Sequence, residues 1–511
     1  MPILPAIINR INYQRLNQID HFRKHPGETQ MKVFKSLLSK AAETHWGKQY
    51  NYKSIRSVKE FQSRLPVQNY EDIIPFVEKI RGGEKDLLWP GEVKWFAKSS
   101  GTTSTKSKFI PVTGDSLHYC HYRGAKDVLA VYFNNNPGTK IFNGKSLILG
   151  GSHKINNFSN QSLFGDLSAI LMENAPKWVG FVRTPDKKIA LLEDFEEKLN
   201  LITQITTHEN VTNISGVPSW YLVLIKQILS FTGKSNLSEV WPNLEVFFHG
   251  GISFAPYREQ FKKFISCDNM KYMETYNASE GFFGLQDDLS SNSMLLMLDL
   301  GVFYEFIPAE EIGSGKYEAL TIEEVKEGVS YAMVISTNGG LWRYLIGDTI
   351  IFTSKNPYKF KITGRTKHFI NAFGEEVIVD NAEKALDAAC RETGALVAEY
   401  TAGPVYIGSE SKGSHEWLIE FEKSPDDPEK FISVLDETLK SVNSDYEAKR
   451  FKDLNLVKPV VRHVPKGTFY RWLREKNKLG GQNKVPRLAN NREYIEEIYR
   501  VMEGRKEESL E

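Results

Sequence analysis

The chain has 511 residues, 41% of them hydrophobic and 12% aromatic, which is more apolar material than one hydrophobic core usually holds. Its 65 Lys and Arg against 64 Asp and Glu leave a net charge of +1, so no overall field attracts it to nucleic acid or to a membrane surface. These numbers exclude a disordered or strongly basic protein and favour a soluble enzyme with more than one domain.

The cysteines and the N-terminus indicate a compartment. Cys120, Cys267 and Cys390 are far apart and fit neither a zinc site nor a disulfide framework, which is typical of a reducing environment. The N-terminus has no charged region before its short apolar stretch, and Arg10 interrupts that stretch. The apolar run over 220–231 is likewise broken, by Lys226. We expect a cytoplasmic protein without a signal peptide that does not cross a membrane.

The first predicted elements are helices. Between residues 12 and 65, apolar residues such as Met31, Phe34 and Leu37 recur at three- and four-residue spacing, which is the repeat of one helix face. After Gly83 the pattern changes to short strands that alternate with helices. We therefore predict a helical N-terminal segment that leads into a sheet.

Two strands and a helix come next. Residues 93–97 and 108–112 read as strands, and a helix over 115–133 follows, with Thr113 or Asp115 as its N-terminal cap. Further apolar runs that end in glycine or small polar residues predict strands within 145–151, 243–251, 271–279 and 331–340, with helices at 192–206 and 219–231. This alternation predicts an α/β fold whose functional loops follow the strands.

A domain boundary is predicted near residues 362–376, a glycine-punctuated basic loop that precedes a helix over 381–394. The residues beyond it have their own strand and helix patterns. We therefore predict a large N-terminal domain, 1–365, with β-sheets flanked by helices, and a smaller α/β domain, 366–511.

The loop between the first two strands, KSSGTTSTKSKFIPVT over 98–113, suits phosphate. Hydroxyl groups and backbone N–H groups around its glycine can donate to phosphate oxygens, and its lysines supply charge. It lacks the second glycine of a P-loop and lies between two strands, so it is not a kinase or GTPase loop of that type. A solvated polar hairpin is the alternative that this segment alone leaves open.

Two later motifs extend this pattern. TYNASEG (275–281) and GLWRYLIGD (340–348) both lie where a strand meets a loop. Together with the first loop, in this order, they resemble the three nucleotide motifs of adenylate-forming enzymes. The closer resemblance is to the Gretchen Hagen acyl-acid amido synthetases, and it extends from the helical N-terminus to the basic C-terminal segment. It implies a large adenylation domain followed by a mobile α/β lid.

The resemblance implies a set of nucleotide contacts. Residues of the first loop would contact the phosphates, namely Ser99, Ser100, Thr102 and Thr103, with Lys108 nearby. Ser279 would lie near the α-phosphate and Glu280 would hold Mg²⁺, which prefers oxygen ligands.

The same resemblance assigns the base and the ribose. Tyr276 would lie against adenine, and Gly250 and Gly251 would let the backbone approach the base. Asp348 would accept hydrogen bonds from both ribose hydroxyls, because a carboxylate offers two acceptor oxygens to a diol. Arg365 matches the arginine of the superfamily hinge motif between the domains.

The acyl site is predicted on two segments. SGVPSWY (215–221) resembles a segment that lines the acyl pocket in related synthetases, which indicates Val217 and Trp220. The family also places acyl-contacting residues on the helix over 115–133. This indicates Tyr119, Tyr122 and Arg123, and a cation there can pair with a carboxylate, although a solvated helix charge is the alternative.

The C-terminal segment QNKVPR (482–487) resembles the family's Q-x-K-x-P-R motif, whose lysine reaches the nucleotide phosphate and the acyl oxygen when the lid closes. This assigns a catalytic role to Lys484. The chain departs from the family pattern at Ser104, where many relatives have glycine, and at Lys367, where an acid is usual. Leu345 replaces an arginine, which leaves Arg343 to carry that charge.

The implied activity is the ATP-dependent ligation of a small carboxylic acid to an amino acid through an acyl-adenylate, with ATP and Mg²⁺ as cofactors. An acyl-CoA ligase shares the first step and is the main alternative. A nucleic-acid-binding protein is a second, because residues 458–487 are rich in Lys and Arg with interleaved aromatic residues. No base is evident, and we interpret His118, His121 and His249 as structural.

Overall fold

The computed structural model describes residues 3–99, 108–149, 156–159, 162–192, 194–251, 254, 258–267, 269–312, 317–365, 369–407, 412–453, 455–476 and 485–508. Over these ranges the chain forms a large N-terminal α/β domain and a smaller C-terminal domain. No helix in this part of the chain is long and apolar enough to cross a membrane.

The N-terminal strands lie in two sheets. In chain order they are β1 (Trp95–Ser99), β2 (Lys108–Val112), β3 (Lys145–Ile148), β4 (Asn156–Ser159), β5 (Ser162–Gly165), β6 (Arg183–Thr184), β7 (Val211–Gly216), β8 (Val246–Gly250), β9 (Lys271–Ala278), β10 (Gly281–Leu285), β11 (Met294–Leu296), β12 (Val302–Pro308), β13 (Ser330–Thr337), β14 (Tyr344–Lys355) and β15 (Tyr358–Arg365). Eleven of the described strands form one sheet, in the order β12-β13-β14-β15-β11-β10-β9-β8-β7-β3-β6. Since β3, β6, β7, β8 and β9 are parallel, their carboxyl ends share one edge.

Helices cover both the N-terminus and the sheet. They span Ile3–Lys24, Pro26–Ala41, His45–Gln49, Val58–Arg64, Tyr70–Arg81, Gly114–Ser116, Tyr122–Asn135, Leu167–Glu173, Val179–Val182, Lys187–Ala190, Phe195–Thr206, Pro218–Thr232 and Arg258–Phe264. A π-helical turn, Leu117–His121, joins two of them, and short 3₁₀ turns occupy Tyr52–Ser54, Ile141–Asn143, Leu237–Glu239 and Ala309–Glu311. The helices predicted within 12–65, 115–133, 192–206 and 219–231 are confirmed.

The C-terminal domain has five described strands, β16 (Phe369–Ile370), β17 (Val377–Ile378), β18 (Leu396–Ile407), β19 (Lys412–Lys423) and β20 (Val460–His463). β18 and β19 are antiparallel and β19 pairs in parallel with β20. The helices span Val379–Thr393, Pro428–Val442, Ser444–Arg450, Thr468–Glu475 and Glu493–Glu508, with a 3₁₀ turn at Phe451–Asp453. The predicted α/β character of this region is confirmed.

The β1–β2 hairpin shows what sequence patterns located and what they missed. β2 has the predicted bounds, whereas β1 begins at Trp95 rather than at residue 93, because the pairing with β2 begins at Trp95 opposite Val112. The pair belongs to a separate four-stranded sheet, β2-β1-β5-β4. Of the two proposed caps, Thr113 is the one used: its hydroxyl accepts the Ser116 N–H at 3.0 Å.

The two domains are joined by buried apolar contacts. One hydrophobic cluster runs from Ile214 and Phe247 of the large sheet to Phe373 and Trp417 of the C-terminal domain. Because burial of apolar surface favours association, this cluster holds the C-terminal domain against the parallel part of the large sheet.

Candidate active site

Tyr276 and Asp348 are in direct contact. The Tyr276 hydroxyl on β9 donates to Asp348 Oδ2 on β14, a pair separated by 72 positions in sequence. Both side chains are buried, and the Tyr276 ring packs against Phe283 with 5.0 Å between ring centroids. Asp348 is also paired in register with Arg365 of β15. The fold therefore brings the predicted base, ribose and hinge positions together.

Gly250 and Gly251 lie beside them, at the carboxyl end of β8. A Cβ on Gly250 would lie 2.4 Å from the Thr275 carbonyl oxygen, since Gly250 and Thr275 are paired in register. Gly251 has φ +83°, a conformation that side chains other than glycine rarely adopt. Glycine at 250 is thus required by the neighbouring strand, whatever binds there.

Ser279 and Glu280 form the two-residue turn between β9 and β10. Glu280 is 9% exposed, and Ser279 is half-buried. The turn is held from outside as well, because the Phe282 N–H lies 3.2 Å from Cys120 Sγ. This places the predicted metal ligand in the turn that follows the strand of Tyr276.

Lys108 lies at the base of the predicted phosphate loop. Ser99 and Lys108 are opposite each other at the open end of the β1–β2 hairpin, so the loop leaves from this point. Lys108 is buried; its Nζ lies 3.4 Å from the Tyr344 hydroxyl and 5.7 Å from the centre of the Tyr70 ring. Ser100, Thr102, Thr103 and Lys484 lie outside the described residues, and Ser99 and Arg365 are described only by their backbone.

The helix predicted to contact the acyl group has its side chains engaged elsewhere. The Tyr122 hydroxyl donates to the Leu171 carbonyl at 2.7 Å, and burial raises its pKa to about 12. Arg123 forms an ion pair with Asp299 at 3.0 Å, and Tyr119 is 58% exposed. The structure does not join these three residues to the Tyr276–Asp348 pair, and their contact with an acyl group stays a prediction.

Val217 and Trp220 lie at the start of the helix Pro218–Thr232, which follows β7. A Cβ on Gly251 would lie 3.5 Å from Val217 Cγ2, so this helix start adjoins the glycine turn. On its other side, Lys449 of the C-terminal domain places its Nζ 4.1 Å from the centre of the Trp220 ring. The predicted acyl segment therefore lies between the glycine turn and the C-terminal domain.

Sequence reasoning missed three charged residues close to this contact. Asp166 follows β5 directly, while Lys198 and Lys449 are buried on helices of different domains. Burial and the charge of Asp445 raise the pKa of Asp166 to about 6. Burial lowers the pKa values of Lys198 and Lys449 to about 8. No motif marks these residues, because their burial arises from contacts between distant segments.

Arg343, the arginine that remains in the GLWRYLIGD motif, is paired inside the fold. Its Nε lies 3.0 and 3.1 Å from the two carboxylate oxygens of Glu305, which is fully buried. A second nitrogen donates to the Gln62 carbonyl at 3.1 Å. The charge of this arginine is therefore neutralised inside the fold, where it ties the N-terminal helices to β12.

His121 and His249 are buried, whereas His118 is exposed. Desolvation lowers the pKa of His121 to about 4 and that of His249 to about 3. The His249 ring stacks on Phe254 with 4.3 Å between centroids. A side chain whose protonated form is this unfavourable is a poor general base, which agrees with the structural interpretation.

Four of the nine Lys and Arg residues in the basic segment 458–487 pair with carboxylates. Lys466 contacts Glu422 at 2.6 Å, Lys476 contacts Glu497 at 2.5 Å, and Arg462 lies 3.4 Å from Glu416. Arg487 pairs with Glu399. These pairs lower the net positive charge of the segment on which the nucleic-acid alternative depends.

The fold of this chain matches those of a solved acyl acid amido synthetase and a solved CoA ligase. Solved structures with the same fold include AtGH3.15 acyl acid amido synthetase in complex with 2,4-DB, with TM-score 0.62, 19% identity and 95% of each chain covered. They also include a 2-hydroxyisobutyryl-CoA ligase in its thioesterification state, with TM-score 0.60, 14% identity, and 94% of this chain and 93% of that one covered. At these identities the likeness concerns the fold.

The chain belongs to the GH3 family. The models of the GH3 family N-terminal, central and C-terminal domains match residues 15–270, 295–365 and 380–493, in this order. Indole-3-acetic acid-amido synthetase GH3.3 of Arabidopsis thaliana is 22% identical, over 93% of this chain and 91% of the relative. The 4-substituted benzoates-glutamate ligase GH3.12 of the same plant is 22% identical, over 84% and 87%. The predicted family is confirmed.

Proposed function

We propose that this protein is an ATP-dependent acid–amino acid ligase that forms an acyl-adenylate and transfers the acyl group to an amine. The observation that carries the proposal is the match of all three GH3 family domains in order along the chain. The relatives named as indole-3-acetic acid-amido synthetases and as a benzoate–glutamate ligase support a small carboxylic acid and an amino acid as substrates.

The reaction has two steps. A carboxylate oxygen of the acid attacks the α-phosphorus of ATP, the bond from that phosphorus to the bridging oxygen breaks, and pyrophosphate leaves. The amine nitrogen then attacks the acyl carbon. A C–N bond forms, the bond from the acyl carbon to the AMP oxygen breaks, and a proton leaves the nitrogen. The first step gathers negative charge, so the protein must mainly position the reactants and neutralise them.

The described residues support the binding part of this scheme. In the proposal, Asp348 accepts from the ribose, and Tyr276 holds that carboxylate in place while its buried ring borders the base. Lys108, fixed by Tyr344 and Tyr70 at the hairpin end, provides positive charge below the phosphate loop. Rigid support of this kind lowers the cost of ordering the site when nucleotide binds.

Magnesium fits the site as a partner of the nucleotide. Among the described residues no three His, Cys, Asp or Glu side chains converge on one point. Mg²⁺ does not require such a cage, because it commonly takes one or two carboxylates and completes its shell with phosphates and water. Glu280, at the turn beside Ser279, is the carboxylate we propose, and the ion would supply charge neutralisation to the phosphates.

A pyrophosphate-release screen over small carboxylic acids tests the proposal, with each acid assayed with and without a pool of amino acids. We expect AMP and pyrophosphate as products, and an amide when an amino acid is present. Formation of ADP and phosphate with every acid would contradict it. Glu280→Gln, which keeps the shape and removes the charge, should raise the Mg²⁺ concentration needed for half-maximal release.

An acyl-CoA ligase is the second candidate, since a CoA ligase shares this fold over 94% of the chain. The two differ only in the acceptor that attacks the adenylate. The same assay with coenzyme A in place of amino acids separates them, because a thioester without any amide would favour the ligase.

A further inference from the structure

Lys449 is a buried cation at the contact between the two domains. It is 5% exposed, and its Nζ lies 4.1 Å from the centre of the Trp220 ring. Its backbone carbonyl accepts the Leu456 N–H at 2.9 Å, but within the described ranges its Nζ forms no hydrogen bond or ion pair. By contrast, the next residue along the helix, Arg450, is fully paired with Asp436 at 2.7 Å.

The helix that carries Lys449 is firmly held in the C-terminal domain. Asn443 caps it by accepting the Tyr446 N–H at 2.8 Å. Arg450 makes two hydrogen bonds of 2.7 Å to the Asp436 carboxylate, and the Tyr446 hydroxyl donates to the same group at 2.8 Å. These bonds fix the helix, so the position of Lys449 follows from the position of the whole domain.

The surface opposite Lys449 is the acyl end of the candidate site. Trp220 lies one helical turn from Val217, which adjoins the glycine turn at Gly251. β7, β8 and β9 are parallel neighbours, so this segment and Tyr276 lie along one edge of the large sheet. Lys449 therefore lies on the lid side of that edge.

Asp166 is one of the charged residues near Lys449. It follows β5, whose last residue, Gly165, is paired with Ala97 of β1, and β1 leads into the phosphate loop. Asp166, Asp445 and Glu375 act on Lys449 electrostatically, but none of them contacts its ammonium group. Lys449 thus lies beside Trp220 and within electrostatic reach of Asp166, which follows β5.

The surroundings of Lys449 leave its charge poorly compensated. Removing an ion from water costs several kcal/mol, whereas a cation–π contact returns about 0.5–2 kcal/mol. Burial accordingly lowers the pKa of this lysine to about 8, so near pH 7 it still carries its charge. A site of this kind is complete only when an anion from a ligand enters it.

Of the anionic groups in the reaction, one keeps its charge throughout and lies near the acyl group. The carboxylate of the acid loses its charge on becoming the adenylate, and the phosphates belong to the hairpin side, where Lys108 lies. The carboxylate of an amino acid acceptor stays ionised through both steps. Lys449, which lies against Trp220 of the predicted acyl segment, is the buried cation placed to meet this carboxylate.

We propose that Lys449 binds the carboxylate of the amino acid acceptor and so selects amino acids over simple amines. The inference rests on the proposed function, because it requires an amine acceptor. It assigns to the C-terminal domain a residue that determines specificity, in addition to the lysine that the family motif places there.

The test compares acceptors that differ only in the carboxylate. Wild-type enzyme is assayed with its preferred amino acid and with the corresponding decarboxylated amine, and we expect the amino acid to have at least about tenfold higher kcat/KM. Lys449→Met should remove most of this preference by raising the KM for the amino acid, with little change for the amine. Lys449→Arg should retain part of it.

Lys430→Met provides the matched control, because Lys430 is a half-exposed lysine of the same domain whose pair with Glu392 lies on the surface. It should leave the preference unchanged. Equal losses for amino acid and amine in Lys449→Met would show a role in domain packing and overturn the inference. A wild-type enzyme that uses both acceptors equally would overturn it without any variant. Thioester without amide from the wild type would instead refute the proposed function itself.

Discussion

Arg343 and Lys449 are both buried cations, and they differ in what surrounds them. Arg343 is 5% exposed, and its Nε lies within hydrogen-bond distance of both carboxylate oxygens of the buried Glu305. Lys449 is equally buried, but its described contact is the face of Trp220. The first arrangement stabilises the fold, whereas the second costs stability in the absence of a ligand. The comparison separates residues kept for folding from residues kept for binding.

Replacement of Asp348 should have the largest effect on ATP binding, because this carboxylate is predicted to accept two hydrogen bonds from the ribose. Asp348→Ala removes two charge-assisted hydrogen bonds to ribose of about 1.5–3 kcal/mol each, so ATP binding should weaken by about 3–6 kcal/mol. Titration calorimetry measures this. Tyr276→Phe removes the phenol bond to Asp348 but keeps the carboxylate and the ring, so it should weaken ATP binding less than Asp348→Ala does. Wild-type affinity in a folded Asp348→Ala protein would exclude the ribose role.

Arg343→Met tests the folding half of the comparison. It leaves the Glu305 carboxylate, which is fully buried, without its ion pair, and breaking a buried pair costs about 3–5 kcal/mol. Urea unfolding should show a loss of this size. The double variant with Glu305→Gln should recover part of it, because the unpaired charge is gone. A loss below about 1 kcal/mol would mean that this pair does not stabilise the fold.

Lys449→Met tests the other half of the comparison, a residue kept for binding. Its effect on the free energy of unfolding should be opposite to that of Arg343→Met. Replacing a poorly compensated buried ammonium with a side chain of similar shape should raise the free energy of unfolding at pH 7 by about 1–3 kcal/mol. A destabilised variant would show that Lys449 is kept for packing.

The pH dependence of this difference provides its own check. Between the folded pKa of about 8 and the ordinary value of 10.5, the unfolded chain keeps a proton on Lys449 that the folded chain has lost. Stability of the wild type therefore rises with pH in this window, and the advantage of Lys449→Met should vanish by about pH 10.5. Lys198 titrates similarly but is present in both proteins. An advantage that is constant with pH would contradict the assignment.

Lys484 gives the smallest expected effect and concerns a second lysine of the C-terminal domain. As a charge delivered by a closing lid, it should act in the transition state with little effect on ATP binding in the open form. Lys484→Ala should slow acyl-adenylate formation by at least about tenfold, or about 1.4 kcal/mol. Single-turnover detection of acyl-AMP measures this rate. An unchanged rate would show that Lys484 is a solvated lysine without a catalytic role.

The sequence predicted the elements and motifs well, and for physical reasons. Apolar periodicity follows directly from which face of a helix or strand is buried, so the helices and the β2 strand were located closely. Tyr276 and Asp348 were found because each lies in an ordered motif. Their mutual hydrogen bond could not be predicted, because it depends on how distant strands meet.

Lys449 shows why the rest could not be predicted. Its helix is short and polar, and its neighbours in sequence, Tyr446 and Arg450, are buried by pairing with Asp436 within their own domain. The burial of Lys449 itself arises where two domains pack, which no local pattern encodes. The partner of Arg343 could not be predicted either, because Glu305 lies on a strand that is distant in sequence.

Transfer of oxygen-18 from a labelled carboxylic acid tests the central claim most directly. The acid, with both carboxyl oxygens labelled, is incubated with the enzyme, ATP and an amino acid, and the masses of the products are measured by mass spectrometry. Attack of the carboxylate on the α-phosphorus predicts AMP that carries one labelled oxygen and an amide that carries the other. Label in inorganic phosphate together with ADP, or an amide formed with unlabelled AMP, would contradict the acyl-adenylate mechanism.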